Sequence, residues 1–293
     1  MRRWWEYWRT VRSRVVLDRG FVRALWVVPL LALRARRGPE TARIAFAPQP
    51  AGPWYTLPLS LRRTGVRTVR RVEDADVVMA FDDRTDTGLP PRTSKPCLNA
   101  RCNDISKTHV ARVFGEVFGY ALAVDPLNHA GPMVAKSNVN GVHDGRIVYG
   151  PLTRRQSGMA YQRLVDSTVR DGVTDELRAT CVGGTAVSIV RKEKAAAARF
   201  AAAYLRTHPV TPDDVLSAEE RVGLARFLER MGLDFGSVDL LRDHAGDGRL
   251  YVVDVNKTCM PVLSMNVRDL HAELARVGAA AEALILARAS RPE

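Results

Sequence analysis

Two aspartates and an asparagine near the carboxyl end of the chain have the types and spacing of a divalent-cation site. The sequence LYVVDVN at 250–256 is typical of a strand, so Asp254 and Asn256, two positions apart, share one face. A turn centred between residues 246 and 247 places Asp239 of the preceding strand opposite Asp254, with Cβ atoms about 5 Å apart. Facing carboxylates repel unless they are protonated or bridged, and an amide oxygen beside them completes a set that suits Mg²⁺. The alternative is that one aspartate points to solvent at a sheet edge.

Lysine is scarce in this chain, and two of its six lysines stand where an anion would bind. Lys136 ends an apolar strand just before the loop SNVNGVHDG, whose backbone N–H groups can meet a polyphosphate. Lys107 stands at the start of a helix, where the helix dipole favours an anion. Each alone is more typical of a surface lysine, but together with a carboxylate pair they favour a bound triphosphate.

The elements that must position these residues begin with a β-α-β alternation. Strands over 42–47, 66–72 and 76–81 and a helix over 54–63 predict a small parallel α/β domain across residues 39–96, in which 85–96 is a linker. Residues 97–293 form the second domain, and residues 1–38 a helical segment. The second domain is predicted to hold helices over 108–118, 195–205, 217–231 and 267–289, and strands over 132–137, 146–149, 161–165, 177–182, 185–191, 235–241 and 249–256.

The order of these motifs resembles that of the ATP-grasp superfamily over roughly residues 98–265. Lys107 and Lys136 match the family's two lysines, and YQRLVD matches the hinge strand that holds adenine. The resemblance therefore implies nucleotide contacts for Lys107, Lys136, Gln162, Arg163, Leu164, Val165 and Asp166. In the segment DELRATCVGGTAVSIVRK it implies that Arg178 and Arg191 meet phosphate or an acyl phosphate. It implies metal ligation by Asp239, Asp254 and Asn256, with Lys257 standing where the family often has a small residue.

The same resemblance implies a fold and an activity. The fold is α/β (α+β), with an N-terminal parallel α/β pre-domain and two α+β subdomains that grip the nucleotide. The nearest branch is that of the carboxylate–amine ligases, which includes the bacterial ribosomal-protein glutamate ligase. It implies that ATP and Mg²⁺, or alternatively Mn²⁺, convert an unidentified carboxylate into an acyl phosphate that an amine then displaces. Two alternatives stay open: a phosphotransferase acting on an alcohol or sugar, and a membrane-associated module with a vestigial ATP site.

Most of the net charge of +12 lies in the first 38 residues, which hold ten Arg and two acidic residues. The same segment contains Trp4, Trp5 and Trp8. As a helix it would lie on an anionic membrane surface, or alternatively pack on the protein's own core or a partner. Because the rest of the chain has only a small excess of positive charge, a nucleic-acid partner is not expected.

The cysteines and the apolar runs of the sequence predict a cytoplasmic protein. If residues 1–38 bind lipid, the protein would lie on the inner face of the membrane. The four cysteines have no C-x-x-C spacing, which favours free thiols in a reducing compartment. No apolar run reaches the roughly 18 residues of a membrane span. The arginines around the apolar run at 24–33 are unlike those of a signal peptide.

Overall fold

A computed structural model describes residues 27–31, residue 35 and residues 37–290. Apart from those few positions, the Arg- and Trp-rich segment 1–38 that was predicted to be helical lies outside the described residues. Residues 27–31 are helical, and Val27 and Leu31 pack in a cluster with the long C-terminal helix. Within the described part of the chain, no helix combines the length and apolar character that crossing a membrane requires.

The N-terminal layer is a parallel sheet, as the β-α-β alternation predicts. Its four strands lie in the order β2-β1-β3-β4, with β1 (Ala42–Pro48), β2 (Val66–Val69), β3 (Val77–Phe81) and β4 (Cys97–Leu98). The helix α1 (Thr56–Leu61) follows β1 and is buried along its whole length. Apolar side chains of these strands pack with α1 and with the final helix, α5 (Val267–Ala289), in one hydrophobic cluster.

The central layer is an antiparallel sheet in the order β11-β10-β9-β12-β13, with β8 paired to β9. Its strands are β8 (Thr168–Arg170), β9 (Val173–Val182), β10 (Thr185–Ala195), β11 (Arg206–Val210), β12 (Phe235–Arg242) and β13 (Leu250–Asn256). One face of this sheet forms the largest hydrophobic cluster with α2 (Lys107–Phe118) and α4 (Ala218–Met231). A single turn, α3 (Pro212–Val215), leads into α4.

A smaller antiparallel sheet in the order β6-β5-β7 faces the central one. It consists of β5 (Gly131–Ser137), β6 (Arg146–Gly150) and β7 (Met159–Arg163). Val134 pairs with Gln162 and Lys136 with Ala160, so these four side chains share one face of the sheet. Lys136 Nζ donates to the carbonyl of Val253 in β13 at 2.9 Å, which shows that this face is turned toward the central sheet.

Several predicted elements are confirmed by the structure. Ser217 and Glu220 form the expected capping box at the start of α4, and α5 has the predicted bounds. All four cysteines are free, as expected. Burial raises the pKa of Cys97 to about 11 and that of Cys102 to about 12, so neither is a thiolate at neutral pH.

The predicted helix over 195–205 is wrong. Only Ala196–Ala198 form a helical turn, of the 3₁₀ type, and the chain then continues into β11, which pairs with β10. Alanine favours a helix, but a segment this short is stable only if one of its faces is buried in a core. None of the three residues of the 3₁₀ turn is buried, so the local preference of the alanines has little packing to support it.

Candidate active site

The hairpin of β12 and β13 sets the centre of the candidate site. Asp239 pairs with Asp254, so the predicted pairing of the two aspartates is confirmed. Directly after this pair the ladder shifts at a bulge on Val253, whose carbonyl accepts the hydrogen bond from Lys136. The bulge also changes the side on which Val252 lies. Simple alternation along β13 would put Val252 on the face of Asp254, but it is fully buried in the core on the opposite face.

Asp239 is held by two cations on neighbouring strands. Arg178 in β9 donates to both of its oxygens, from Nε at 2.8 Å and from Nη2 at 2.7 Å. Lys192 in β10 donates to Oδ1 from Nζ at 3.1 Å. Burial alone would raise the pKa of Asp239, but Arg178 and Lys192 outweigh it and hold the pKa well below its usual range. Asp239 is therefore ionised at any ordinary pH.

The ionic network continues along β9 and β10. Lys192 also donates to Glu176, and Lys194 Nζ donates to Glu176 Oε2 at 2.8 Å. Both ammonium groups lie over the ring of Tyr204, 5.9 and 5.5 Å from its centroid. Burial would lower the pKa of Lys192, but Asp239 and Glu176 raise it above its usual value. Lys192 therefore stays charged although it is buried.

Lys107 and Lys136 reach the same face from the other side of the cleft. Ser106 caps α2 by accepting from the backbone N–H of His109 at 3.3 Å, which places Lys107 in the first turn. Lys107 Nζ lies 3.0 Å from Asp254 Oδ1 and donates to Asn140 Oδ1 at 3.1 Å. Burial lowers the pKa of Lys136, and Asp254 partly offsets that effect. Both lysines thus reach into the cleft between the two sheets.

Formal charge around this face does not balance. Five cations, Lys107, Lys136, Arg178, Lys192 and Lys194, meet three carboxylates, Glu176, Asp239 and Asp254. A buried surplus of positive charge is unfavourable unless an anion compensates it. The cleft between the two sheets therefore has the electrostatics of a polyanion site.

The oxygen ligands predicted for a metal share this face. Asp254 Oδ1 is buried and accepts no hydrogen bond of good geometry from the described residues, although Lys107 is close. Asn256 pairs with Ser237, two positions along from the Asp239–Asp254 pair. Within residues 37–290 no three His, Cys, Asp or Glu side chains cluster as a metal site. Both oxygens of Asp239 already accept from Arg178, so Asp239 could bind a metal ion only if one of these hydrogen bonds were exchanged for it. Asp254 and Asn256 fit Mg²⁺ if phosphate and water supply the remaining ligands, which is the coordination that Mg²⁺ commonly has in proteins.

The predicted adenine edge lies at the end of β7. Gln162 is 2% exposed, and its Nε2 has no hydrogen-bond partner among the described residues, so a buried donor is available there. Val165 is buried and Leu164 is half-buried. The hydroxyl and backbone N–H of Thr168 both donate to Asp166, and these hydrogen bonds lower the pKa of Asp166. Gln162 and Lys136 share a face, so a nucleotide between the sheets would reach both.

Two of the arginines assigned from the sequence point elsewhere. Arg163 alternates with Gln162 along β7, is exposed, and lies 3.5 Å from Asp243. Arg191 pairs with Leu177, whereas Arg178 pairs with Val190, so the two arginines occupy opposite faces of the sheet. On its own face Arg191 lies 3.4 Å from Asp175 and lines a cavity of about 380 Å³. The structure does not bring Arg191 together with Arg178.

A bulge in β10 explains the position of Arg191. The ladder runs in step from Thr185–Val182 to Ala186–Cys181 and then shifts by one residue at Val187. A shift of one residue exchanges the two faces of a strand. Lys192 therefore takes the place that an uninterrupted hairpin would give to Arg191. Lys192 and Glu176 are not among the site residues predicted from the sequence. The signal for Lys192 was the pair of scarce lysines, 192 and 194, that alternate along β10.

Comparison with solved structures identifies the fold. The chain is similar to the ATP-grasp ligase PsnB complexed with minimal precursor, Mg and ADP, at 12% identity and a TM-score of 0.54, over 87% of this chain and 100% of that chain. A PsnB complex with a phosphomimetic variant of the minimal precursor, Mg and ADP is 11% identical with a TM-score of 0.53, over 86% of this chain and 99% of that chain. D-Alanine–D-alanine ligase from Bacillus anthracis complexed with ATP is 13% identical with a TM-score of 0.48, over 85% of this chain and 99% of that chain. In a further PsnB complex, the match spans 64% of the PsnB chain.

The chain therefore has the ATP-grasp fold, and the α/β (α+β) class predicted from the sequence is confirmed. No family model matches the sequence, and the comparison with curated proteins gives no match.

Proposed function

We propose that this protein is an ATP- and Mg²⁺-dependent carboxylate–amine ligase. The observation that carries the proposal is the cleft between the two sheets, where five cations outnumber three carboxylates around paired aspartates. A triphosphate would compensate this surplus. The PsnB and D-alanine–D-alanine ligase structures are of ATP-grasp ligases with ADP or ATP bound, which supports the same assignment.

The proposed reaction has two steps. An oxygen of the substrate carboxylate forms a bond to the γ-phosphorus, while the bond from that phosphorus to the bridging oxygen breaks and its electron pair leaves with ADP. The nitrogen of an amine then attacks the acyl carbon, the bond from carbon to the phosphate oxygen breaks, and inorganic phosphate leaves as the amine loses a proton. Phosphoryl transfer of this kind depends mainly on positioning and on neutralisation of charge.

The chain's own residues would serve these steps from both sides of the cleft. Lys107 and Lys136 would neutralise the α- and β-phosphates. Lys136 now donates to a neutral carbonyl, a hydrogen bond that a charged phosphate oxygen can replace with a stronger one. Arg178 would stabilise the acyl phosphate, and Lys192 takes the second position there, because Arg191 lies on the opposite face.

The remaining proposed roles concern the metal ion and the adenine base of the nucleotide. Asp239, Asp254 and Asn256 would hold Mg²⁺, or alternatively Mn²⁺, which when bound supplies charge neutralisation at the phosphates. The buried amide of Gln162 and the backbone of residues 163–165 would contact adenine, and Asp166 the ribose. The cytoplasmic location and a contact of residues 1–38 with an anionic membrane rest on composition alone.

Trapping with hydroxylamine tests the proposed reaction. We expect the protein, with ATP, Mg²⁺ and hydroxylamine, to form a hydroxamate and ADP in equal amounts from a carboxylate in a panel of amino acids and dicarboxylic acids. Hydroxylamine captures an acyl phosphate, so the product identifies the intermediate. AMP and pyrophosphate, a phosphorylated alcohol or sugar, or ADP without hydroxamate across the panel would each contradict the proposal.

A further inference from the structure

A second cavity, of about 210 Å³, lies at the carboxyl ends of β1 and β3 in the N-terminal sheet. This is the edge at which open α/β sheets bind ligands. Its apolar walls include Pro48, Phe81, Pro90 and Pro91. The volume is below the range typical of sites for drug-sized ligands, so it suits a short chain or a side chain.

Lys257 places a buried amino group against this cavity, and no carboxylate of the described residues lies within 4 Å of it. The residue is 3% exposed, and its one hydrogen bond to a described residue goes to Thr87 Oγ1 at 3.4 Å. An ammonium group has three donors, and buried charges in proteins are normally paired. Asp82 lines the same cavity, but the guanidinium of Arg84 occupies both of its oxygens at 2.8–3.1 Å. Burial lowers the pKa of Lys257, and Asp82 and Asp86 raise it only from beyond 4 Å, which leaves room for an anion in direct contact with its ammonium group.

We propose that this cavity binds the carboxylate of a short acidic substrate, with Lys257 as its counter-ion; the inference rests on the proposed ligase function. A carboxylate on an apolar stem matches one buried cation at the end of apolar walls. Arg84 uses Nε and Nη2 on Asp82, so Nη1 is available to a second oxygen of the ligand.

The cavity adjoins the candidate active site. Lys257 directly follows Asn256, one of the proposed metal ligands. Thr85, in the segment that forms the cavity wall, accepts from the backbone N–H of Asn140 at 2.8 Å, and Asn140 accepts from Lys107. A substrate anchored at Lys257 would therefore lie next to the groups proposed to hold the triphosphate.

Calorimetric titration with glutarate tests the cavity directly. Glutarate should bind the full-length protein at least about tenfold more tightly than its neutral diamide, because only the dianion pairs with Lys257. Lys257→Met should lose this preference, whereas Lys95→Met, at a half-buried lysine that does not line the cavity, should keep it. Lys257→Met is expected to fold, since it removes an unpaired buried charge; Lys257→Gln serves as a second neutral variant.

Titration of each protein with AMPPNP and Mg²⁺ distinguishes a failure of the proposed ligase function from a failure of the proposed carboxylate site. If the wild type fails to bind the nucleotide, the proposed function fails, and the glutarate result still decides whether the cavity binds an anion. Three outcomes would overturn the inference: no binding of glutarate to the wild type, equal binding of glutarate and its diamide, or unchanged glutarate binding in the neutral variants. If those variants lose AMPPNP affinity instead, Lys257 belongs to the nucleotide and the inference is also overturned.

Discussion

Replacing Asp239 with Asn is expected to lower the free energy of unfolding by about 3–5 kcal/mol. Asp239 is buried and pairs with both Arg178 and Lys192, so the substitution leaves two buried cations with too little compensating charge. Urea denaturation measures the change. Asp213→Asn is the matched control, because Asp213 pairs with Arg221 at the surface and its side chain is 75% exposed. That exposed pair should contribute less than about 1 kcal/mol.

The contribution of Asp239 to the free energy of unfolding should also depend on pH. The pKa of Asp239 is depressed in the folded state, so the folded state resists protonation. Its contribution is fully present above the unfolded pKa of about 4 and is lost as pH falls through the folded value. The stability difference between the wild type and Asp239→Asn should therefore shrink as pH decreases below about 4. A difference equal to that of Asp213→Asn, or one that grows in acid, would show that Asp239 is not held as an ion in the network.

Replacing Asp254 with Asn is expected to lower Mg²⁺-dependent ATP turnover by about a hundredfold or more while the protein stays folded. Asp254 is the less buried partner of the aspartate pair, with its side chain 27% exposed, and Lys107 is its one cation within 4 Å among the described residues. Asn keeps the size but loses the charge that would bind a metal ion. The assay is release of ADP over a range of Mg²⁺ concentrations.

The control for this variant is Asp171→Asn in the exposed turn between β8 and β9, which should leave turnover unchanged. Circular dichroism and urea denaturation of both variants separate loss of turnover from loss of fold. Wild-type turnover in Asp254→Asn would remove Asp254 from the metal site. The proposal of a bound nucleotide would then depend on the surplus of cations in the cleft.

The two hairpins show what the sequence can and cannot predict about the site. Next to the turn of the β12–β13 hairpin, Arg242 pairs with Leu250, and the bulge at Val253 lies between the turn and the aspartates. This bulge shifts the register by one residue, so the predicted pairing of Asp239 with Asp254 is correct only because of it. In the β9–β10 hairpin the turn at Gly183–Gly184 is as predicted, but a bulge at Val187 intervenes before Arg191. One inserted residue exchanges the faces of a strand. Simple alternation along the hairpin therefore places Arg191 on the same face of the sheet as Arg178, whereas in the structure Lys192 lies on that face.

Other differences arise because tertiary contacts override local preference. Strands β4 and β8 have two and three residues, too few for a periodic pattern. In contrast, α5 and the capping box of α4 carry strong local signals and are as predicted. The scarce lysines 107 and 136 were informative because burying a lysine is costly, so the fold must provide each with a partner.

A crystal structure of the protein with AMPPNP and Mg²⁺ would locate the nucleotide and the metal ion. We expect a triphosphate between the β5–β7 sheet and the β12–β13 hairpin, with phosphate oxygens about 3 Å from the Nζ atoms of Lys107 and Lys136. Lys136 would have exchanged the carbonyl of Val253 for phosphate, and the metal would lie on Asp254. A nucleotide bound outside this cleft, or bound there with Lys136 still on Val253 and the metal on other residues, would contradict it.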